Sequence, residues 1–100
     1  MDLQVVTKKR FVNSLEKTIQ YLKENWSKKV AEDFYIQVIK KIDLLVAYPN
    51  SGKPTTIKNT KSLLVGKENQ NRIFYRIEKD KLIVVNMKDT RMNPKRNRFY

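Results

Sequence analysis

The chain has 100 residues, and 22 Lys and Arg against 10 Asp and Glu give it a net charge of +12. It contains neither cysteine nor histidine, which excludes disulfides, thiolate or imidazole metal sites and nucleophiles paired with histidine, so we expect no metal and no cofactor. The length fits a single domain over residues 1–100, and because no stretch has the roughly 18 apolar residues of a membrane span, we expect a cytoplasmic protein.

The chain begins with a pattern typical of a strand followed by a helix. Residues 3–6 form a short apolar run that predicts a strand, and Thr7 is a candidate N-cap for a helix starting at Lys8. Apolar residues then recur at spacings of three and four from Phe11 to Trp26, which predicts an amphipathic helix that ends near Asn25. In this interpretation Trp26 faces the core.

A second helix is predicted directly after the first, with Ser27 as its N-cap. Its apolar positions form one stripe, widened by flanking apolar residues; the stripe is Val30, Phe34, Val38, Ile42 and Leu45, and the flanking positions are Ala31, Tyr35, Ile39 and Val46. Pro49 disfavours helical geometry at the preceding residue and ends the helix. The short connection between the two helices predicts an antiparallel helical hairpin.

The second half of the chain predicts three strands joined by turns. Residues 53–61 are interpreted mostly as loop, residues 62–65 and 72–78 as a β-hairpin, and residues 82–87 as a further strand after a tight turn at 79–80. Alternation in the middle strand places Ile73 and Tyr75 on the face towards the helices. The predicted fold class is therefore α+β, an antiparallel sheet with the helical hairpin on one face and the opposite face exposed.

The positive charge is concentrated in the second half. Residues 51–100 hold thirteen basic and four acidic residues, which is +9 of the total. This asymmetry favours a polyanionic partner, either nucleic acid or an acidic protein, over a generally solubilising surface.

Three segments resemble one family. Residues 26–52, which end in Tyr-Pro-Asn-Ser-Gly, resemble the second helix and turn of ParE-type plasmid-stabilisation toxins, residues 71–77 resemble the family's central strand, and residues 89–94 resemble its terminal Asp-x-Arg-x-x-Pro element. The chain thus resembles the RelE/ParE toxin superfamily over nearly its whole length. The resemblance implies a growth-arresting toxin of a type II toxin–antitoxin system, held inactive by a cognate antitoxin.

Two mechanisms follow from the resemblance. Similarity to the ParE branch implies an inhibitor of DNA gyrase without a catalytic centre of its own, and the long helical hairpin favours this mechanism. The alternative is a RelE-like, metal-independent endoribonuclease that cleaves messenger RNA on the ribosome. A third interpretation, a basic nucleic-acid-binding module, has little support, because the chain lacks a glycine-rich phosphate loop and an aromatic RNA-binding strand motif.

The candidate site residues depend on the mechanism. For a nuclease, Arg72 and Arg91 match the family's phosphate-binding and leaving-group arginines, and Lys61 and Lys67 are weaker candidates for the base. Arg72 and Arg76 share a strand face and are expected to clamp a phosphate. Nucleic-acid or antitoxin binding is assigned to a larger set of six basic residues and one aromatic residue: Arg72, Arg76, Arg91, Lys95, Arg96, Arg98 and Tyr100.

Each of these residues also has a purely structural interpretation. Arg72 and Arg76 would then belong to a solvated sheet face and pair across strands with residues such as Asp89, and Arg91 would pair with Asp89 to fix the tail. For Tyr75, as for Trp26, we favour a place in the core over a functional role.

Overall fold

A computed structural model describes residues 3–66 and 71–90. Two helices and five strands follow one another in the order expected for an α+β fold. Their bounds are β1 Gln4–Thr7, α1 Lys9–Asn25, α2 Lys28–Ala47, β2 Lys53–Pro54, β3 Lys61–Val65, β4 Asn71–Glu78 and β5 Lys81–Asp89. Among these described residues, neither helix is long and apolar enough to cross a membrane.

The strands form one mixed sheet in the order β1-β5-β4-β3-β2. The strands β3, β4 and β5 pair in antiparallel fashion as predicted, and β2 adds to β3 in the same way, but β1 pairs with β5 in parallel. The expectation of a purely antiparallel sheet was therefore wrong at this edge. Parallel pairing needs a long connection, and the helical hairpin with three strands lies between β1 and β5.

Two further boundaries differ from the prediction. Residues 53–61 are not all loop, because Lys53 and Pro54 form the edge strand β2, a position that tolerates a proline without an N–H donor. The expected basic tail begins later than Lys88, since Lys88 and Asp89 still belong to β5.

Of the two predicted helix N-caps, one is confirmed and the other is wrong. The Ser27 side chain accepts a hydrogen bond from the Val30 backbone N–H at 3.0 Å, which confirms Ser27 as the N-cap of α2. Thr7 was a wrong choice for α1, because it still lies in β1, opposite Val84. Lys8 occupies the cap position without a side-chain cap, and its N–H donates to the Val84 carbonyl at 2.9 Å.

Both helices pack on the same face of the sheet. The core cluster joins residues of α1 and α2 to residues of β3, β4 and β5; its buried members are Phe11, Phe34, Val38, Ile42, Leu45, Val65, Ile73, Tyr75, Leu82, Val84 and Met87. Helix α2 buries five residues, whereas α1 fully buries Phe11 alone. The predicted stripe is shifted on α2, since Ala31 is buried while Val30, Tyr35 and Ile39 are exposed.

Trp26 was wrongly predicted to face the core, since it is 71% exposed. Helix α1 ends at Asn25, and Trp26 has a non-helical backbone with φ −128° and ψ −91°. The spacing of four residues from Leu22 therefore does not predict the direction of the Trp26 side chain, because helical geometry ends one residue before Trp26.

The sheet face opposite the helices was predicted to be exposed, and it is not. Phe74 is 2% exposed, and Ile83 and Ser62 are also buried. All three lie outside the core cluster under the helices. This second face therefore combines buried side chains with the half-buried cations Arg72 and Arg76.

Tyr75 joins β4 to the turn that follows α2. Its hydroxyl donates to the Pro49 carbonyl at 2.8 Å and accepts from the Gly52 N–H at 2.9 Å. The side chain is fully buried, which confirms its predicted place in the core. Because desolvation disfavours the phenolate, burial raises the pKa of Tyr75, although the hydrogen bond from Gly52 acts in the opposite direction.

This shift predicts a loss of stability in alkaline solution. The unfolded chain ionises Tyr75 near pH 10, whereas the folded chain keeps the phenol neutral, so the contribution of Tyr75 to the free energy of unfolding is complete below pH 10 and falls as pH rises towards the raised pKa. We expect Tyr75→Phe to lack this dependence. Urea unfolding between pH 8 and pH 11 measures it, and a constant difference between the two proteins over that range would contradict it.

Candidate functional site

The arginine face is the side of β4 that carries Arg72, Phe74 and Arg76, opposite the helices. Alternation along the strand places both arginines on this face, as predicted. They are four positions apart with buried Phe74 between them, so their Cα atoms lie about 13 Å apart at the rise of a strand. Both side chains therefore start from the same face, and the joint clamp on one phosphate stays a prediction.

The two arginines interact with different partners. Arg72 donates from Nη1 to the Ser62 Oγ on β3 at 2.7 Å. Arg76 places Nε 3.5 Å from the Glu78 Oε1, further along its own strand. Both side chains of that ion pair are partly exposed, so it adds little to stability.

Lys88 belongs to the same site, although the sequence had suggested only a basic tail at this position. The register of β4 and β5 places Lys88 directly opposite Arg72, and Asp89 opposite Asn71. Side chains directly opposite each other on neighbouring strands have Cβ atoms about 5 Å apart. The arginine face therefore concentrates positive charge where Arg72 and Lys88 meet. The basic character of residues 88–100 drew attention to Lys88, but its position opposite Arg72 follows only from the strand register.

Lys61 does not join this cluster. It pairs with Tyr75 in the β3–β4 register, three residues before Leu64, which pairs with Arg72. Because an odd separation along a strand reverses the face, Lys61 lies on the side opposite Arg72. Its Nζ donates to the Asn50 Oδ1 at 2.8 Å.

The other predicted site residues lie outside the described residues: Lys67, Arg91, Lys95, Arg96, Arg98 and Tyr100. Their roles and the ion pair between Arg91 and Asp89 remain predictions. Within residues 3–66 and 71–90, no group of three acidic residues, cysteines or histidines could hold a metal ion.

The outer side of the helical hairpin is a second candidate surface; the sequence favoured the hairpin for the gyrase mechanism but did not identify the residues that form this surface. A groove of about 380 Å³ runs between α1 and α2, and its lining is mostly apolar with three charged residues: Ile19, Ala31, Tyr35, Ile36, Lys23, Lys28 and Glu32. Trp26 lies exposed at the tip of the hairpin. The sequence indicated this surface through the number of apolar positions on α2, which is larger than one buried stripe requires.

Solved structures share this fold. The chromosomal ParDE toxin–antitoxin system from P. aeruginosa contains a chain that matches with a TM-score of 0.76 at 10% identity, over 87% of this chain and 95% of that one. A conserved hypothetical protein from Helicobacter pylori matches with a TM-score of 0.56 at 17% identity, over 88% and 94% of the two chains. No curated protein sequence matches the chain. The chain therefore shares the small α+β fold of these two structures.

A family model makes the assignment more specific. The model of the ParE toxin of the type II toxin–antitoxin system, parDE, matches residues 5–94. The chain belongs to this family, which confirms the resemblance found in the sequence, and it is a toxin of a type II toxin–antitoxin system. A cognate antitoxin is its partner.

Proposed function

We propose that this toxin arrests growth by inhibiting DNA gyrase in the cytoplasm, as a binding protein without a catalytic centre of its own. The observation that supports this best is the outer side of the helical hairpin, which carries a mostly apolar groove between its helices and the exposed Trp26 at its tip. Contiguous exposed apolar surface marks protein–protein interfaces, and tryptophan is enriched among the residues that dominate binding energy. Such a surface suits a protein target.

The position of Lys61 argues against the nuclease alternative. A general base must lie within hydrogen-bond reach of the proton that it removes, while the phosphate-binding arginine holds the neighbouring phosphate. Lys61 and Arg72 lie on opposite faces of the sheet, so these two residues do not form such a pair. The nuclease alternative then depends on Lys67 and Arg91.

The antitoxin is proposed to cover the arginine face. Arg72 and Lys88 lie opposite each other there, and an acidic segment that folds on binding would carry the complementary charge. This assignment retains Arg72 and Arg76 as antitoxin-binding residues. It leaves the helical hairpin as the surface for the target.

A gyrase assay with a surface variant tests the proposal. We expect the purified toxin to inhibit gyrase supercoiling and to stabilise gyrase–DNA cleavage complexes. Trp26→Ala removes a 71% exposed side chain, so the fold should be retained while the concentration for half inhibition rises about tenfold or more, the effect of a 1.4 kcal/mol loss in binding.

Tyr48→Ala is the matched control. Tyr48 is also a strongly exposed aromatic residue, 65% exposed, but it lies beyond the other end of α2, so its loss should leave inhibition unchanged. Messenger RNA cleavage in a translating extract is measured in parallel. Ribosome-dependent fragments that disappear with Arg91→Ala, together with normal gyrase activity, would replace the proposal with the nuclease mechanism.

A further inference from the structure

A pocket of about 490 Å³ lies at the other end of β4, next to the edge strand β2. The loop of residues 55–60 forms one wall, and the end of β4 forms another. Six of its lining residues carry charge or an amide: Asn50, Lys58, Asn59, Lys61, Arg76 and Glu78. Neither the proposed antitoxin surface nor the helical hairpin uses Lys58 or this loop.

The loop that carries Lys58 is held in shape by its own hydrogen bonds. The Thr55 Oγ1 donates to the Thr60 carbonyl at 2.9 Å and accepts from the Ile57 N–H at 3.1 Å. Backbone hydrogen bonds from Thr55 to Thr60 and from Thr60 to Ile57 close the loop, and Asn59 takes a left-handed conformation with φ 59°. Lys58 is therefore presented by an ordered loop, which lowers the entropy lost when a ligand binds.

The charge of the pocket is positive. Its lining holds three cations, Lys58, Lys61 and Arg76, against one carboxylate, that of Glu78, whose Oε1 lies 3.5 Å from the Arg76 Nε. In the part of the chain that the structure describes, no carboxylate lies within 4.0 Å of Lys58 or Lys61. The hydrogen bond from Lys61 to neutral Asn50 positions the ammonium group without neutralising it. The pocket is thus suited to an anion.

We propose that this pocket binds backbone phosphates of DNA. Lysine, arginine, threonine and asparagine are residue types that contact phosphate oxygens, and all four line the pocket. The pocket is open to solvent on one side, and its volume of about 490 Å³ leaves room for more than one phosphate group. The inference goes beyond gyrase inhibition and concerns the toxin alone, so it is tested without gyrase.

The test measures binding of the full chain to a fluorescein-labelled 20-base-pair DNA duplex by anisotropy between 50 and 200 mM NaCl. The pocket variant combines Lys58→Gln, Lys61→Gln and Arg76→Gln. We expect its affinity to fall at least tenfold, and the slope of log K against log salt to become shallower by about 2.7, since each of the three lost phosphate contacts contributes about 0.9. A second variant, Lys58→Arg with Lys61→Arg, keeps the charges and should retain affinity.

The matched control removes the same charge elsewhere. Lys9, Arg10 and Lys40 are exposed on the helices, and their triple replacement by glutamine should leave most of the affinity. Equal losses in the two triple variants would show a net-charge effect and overturn the proposal. The same variants are titrated with a labelled 12-residue polyglutamate peptide. Pocket substitutions that remove peptide binding but retain DNA binding would assign the pocket to an acidic protein segment and overturn it too.

Discussion

Gly52→Ala is expected to lower the free energy of unfolding by about 3 kcal/mol, at the upper end of overpacking costs. A Cβ atom at Gly52 would lie 2.5 Å from the Tyr75 hydroxyl oxygen, 2.7 Å from its Cε1 and 2.8 Å from the Ser62 carbonyl oxygen. The Tyr75 ring is fully buried, and a shift away from Gly52 would break the hydrogen bonds of its hydroxyl with Pro49 and Gly52. The gain of roughly 0.4–1 kcal/mol from a less flexible unfolded chain is too small to compensate.

Ser51→Ala is the control for this prediction. It alters the neighbouring residue of the same turn, and it removes an exposed hydroxyl that donates to the Tyr48 carbonyl at 2.7 Å, so a loss of about 1 kcal/mol or less is expected. Urea unfolding of both variants measures the difference. If Gly52→Ala were as stable as the wild type, the close approach of Tyr75 to the turn would not exist in solution.

Local patterns were sufficient to predict most of the fold. Ser27 caps α2 because a short hydroxyl side chain before an apolar run satisfies a free N–H, which needs no knowledge of the rest of the molecule. Ile73 and Tyr75 face the helices because strand alternation has a fixed period of two. Both inferences use interactions within a few residues.

The errors occurred where distant parts of the chain decide the outcome. Thr7 continues β1 because Val84 of β5 pairs with it, 77 positions later. Trp26 is exposed because α1 ends one residue earlier. On the sheet face opposite the helices, Phe74 is buried, although strand alternation alone predicts that this face is exposed to solvent. Periodicity identifies a face of an element, but tertiary packing determines what covers that face.

The candidate site could be predicted in part for the same reason. Arg72 and Arg76 were placed on one face from the alternation of β4 alone. The neighbours Lys88 and Lys58 needed the register of β5 and the folded shape of the 55–60 loop, which are not visible in a single run of residues. Likewise, the separation of Lys61 from Arg72 follows from the β3–β4 register.

Phe34→Ala and Tyr35→Ala together test which side of α2 faces the core. Phe34 is 7% exposed and packs in the cluster under the sheet, whereas Tyr35, the next residue, is 49% exposed. Truncating a buried phenylalanine removes transfer free energy and leaves a cavity, so Phe34→Ala should lower the free energy of unfolding by about 3–5 kcal/mol. Tyr35→Ala should change it by about 0.5 kcal/mol, as surface substitutions do.

The pair is informative because both residues stood among the apolar positions that the sequence assigned to the core side of α2. If α2 were rotated so that Tyr35 and Ile39 faced the sheet, the two variants would lose similar stability, and the groove proposed for the protein target would be closed. Urea unfolding monitored by circular dichroism separates these outcomes. A large loss for Phe34→Ala with a small loss for Tyr35→Ala leaves the apolar surface of the hairpin open to a partner, and the proposed gyrase contact through Trp26 depends on that surface.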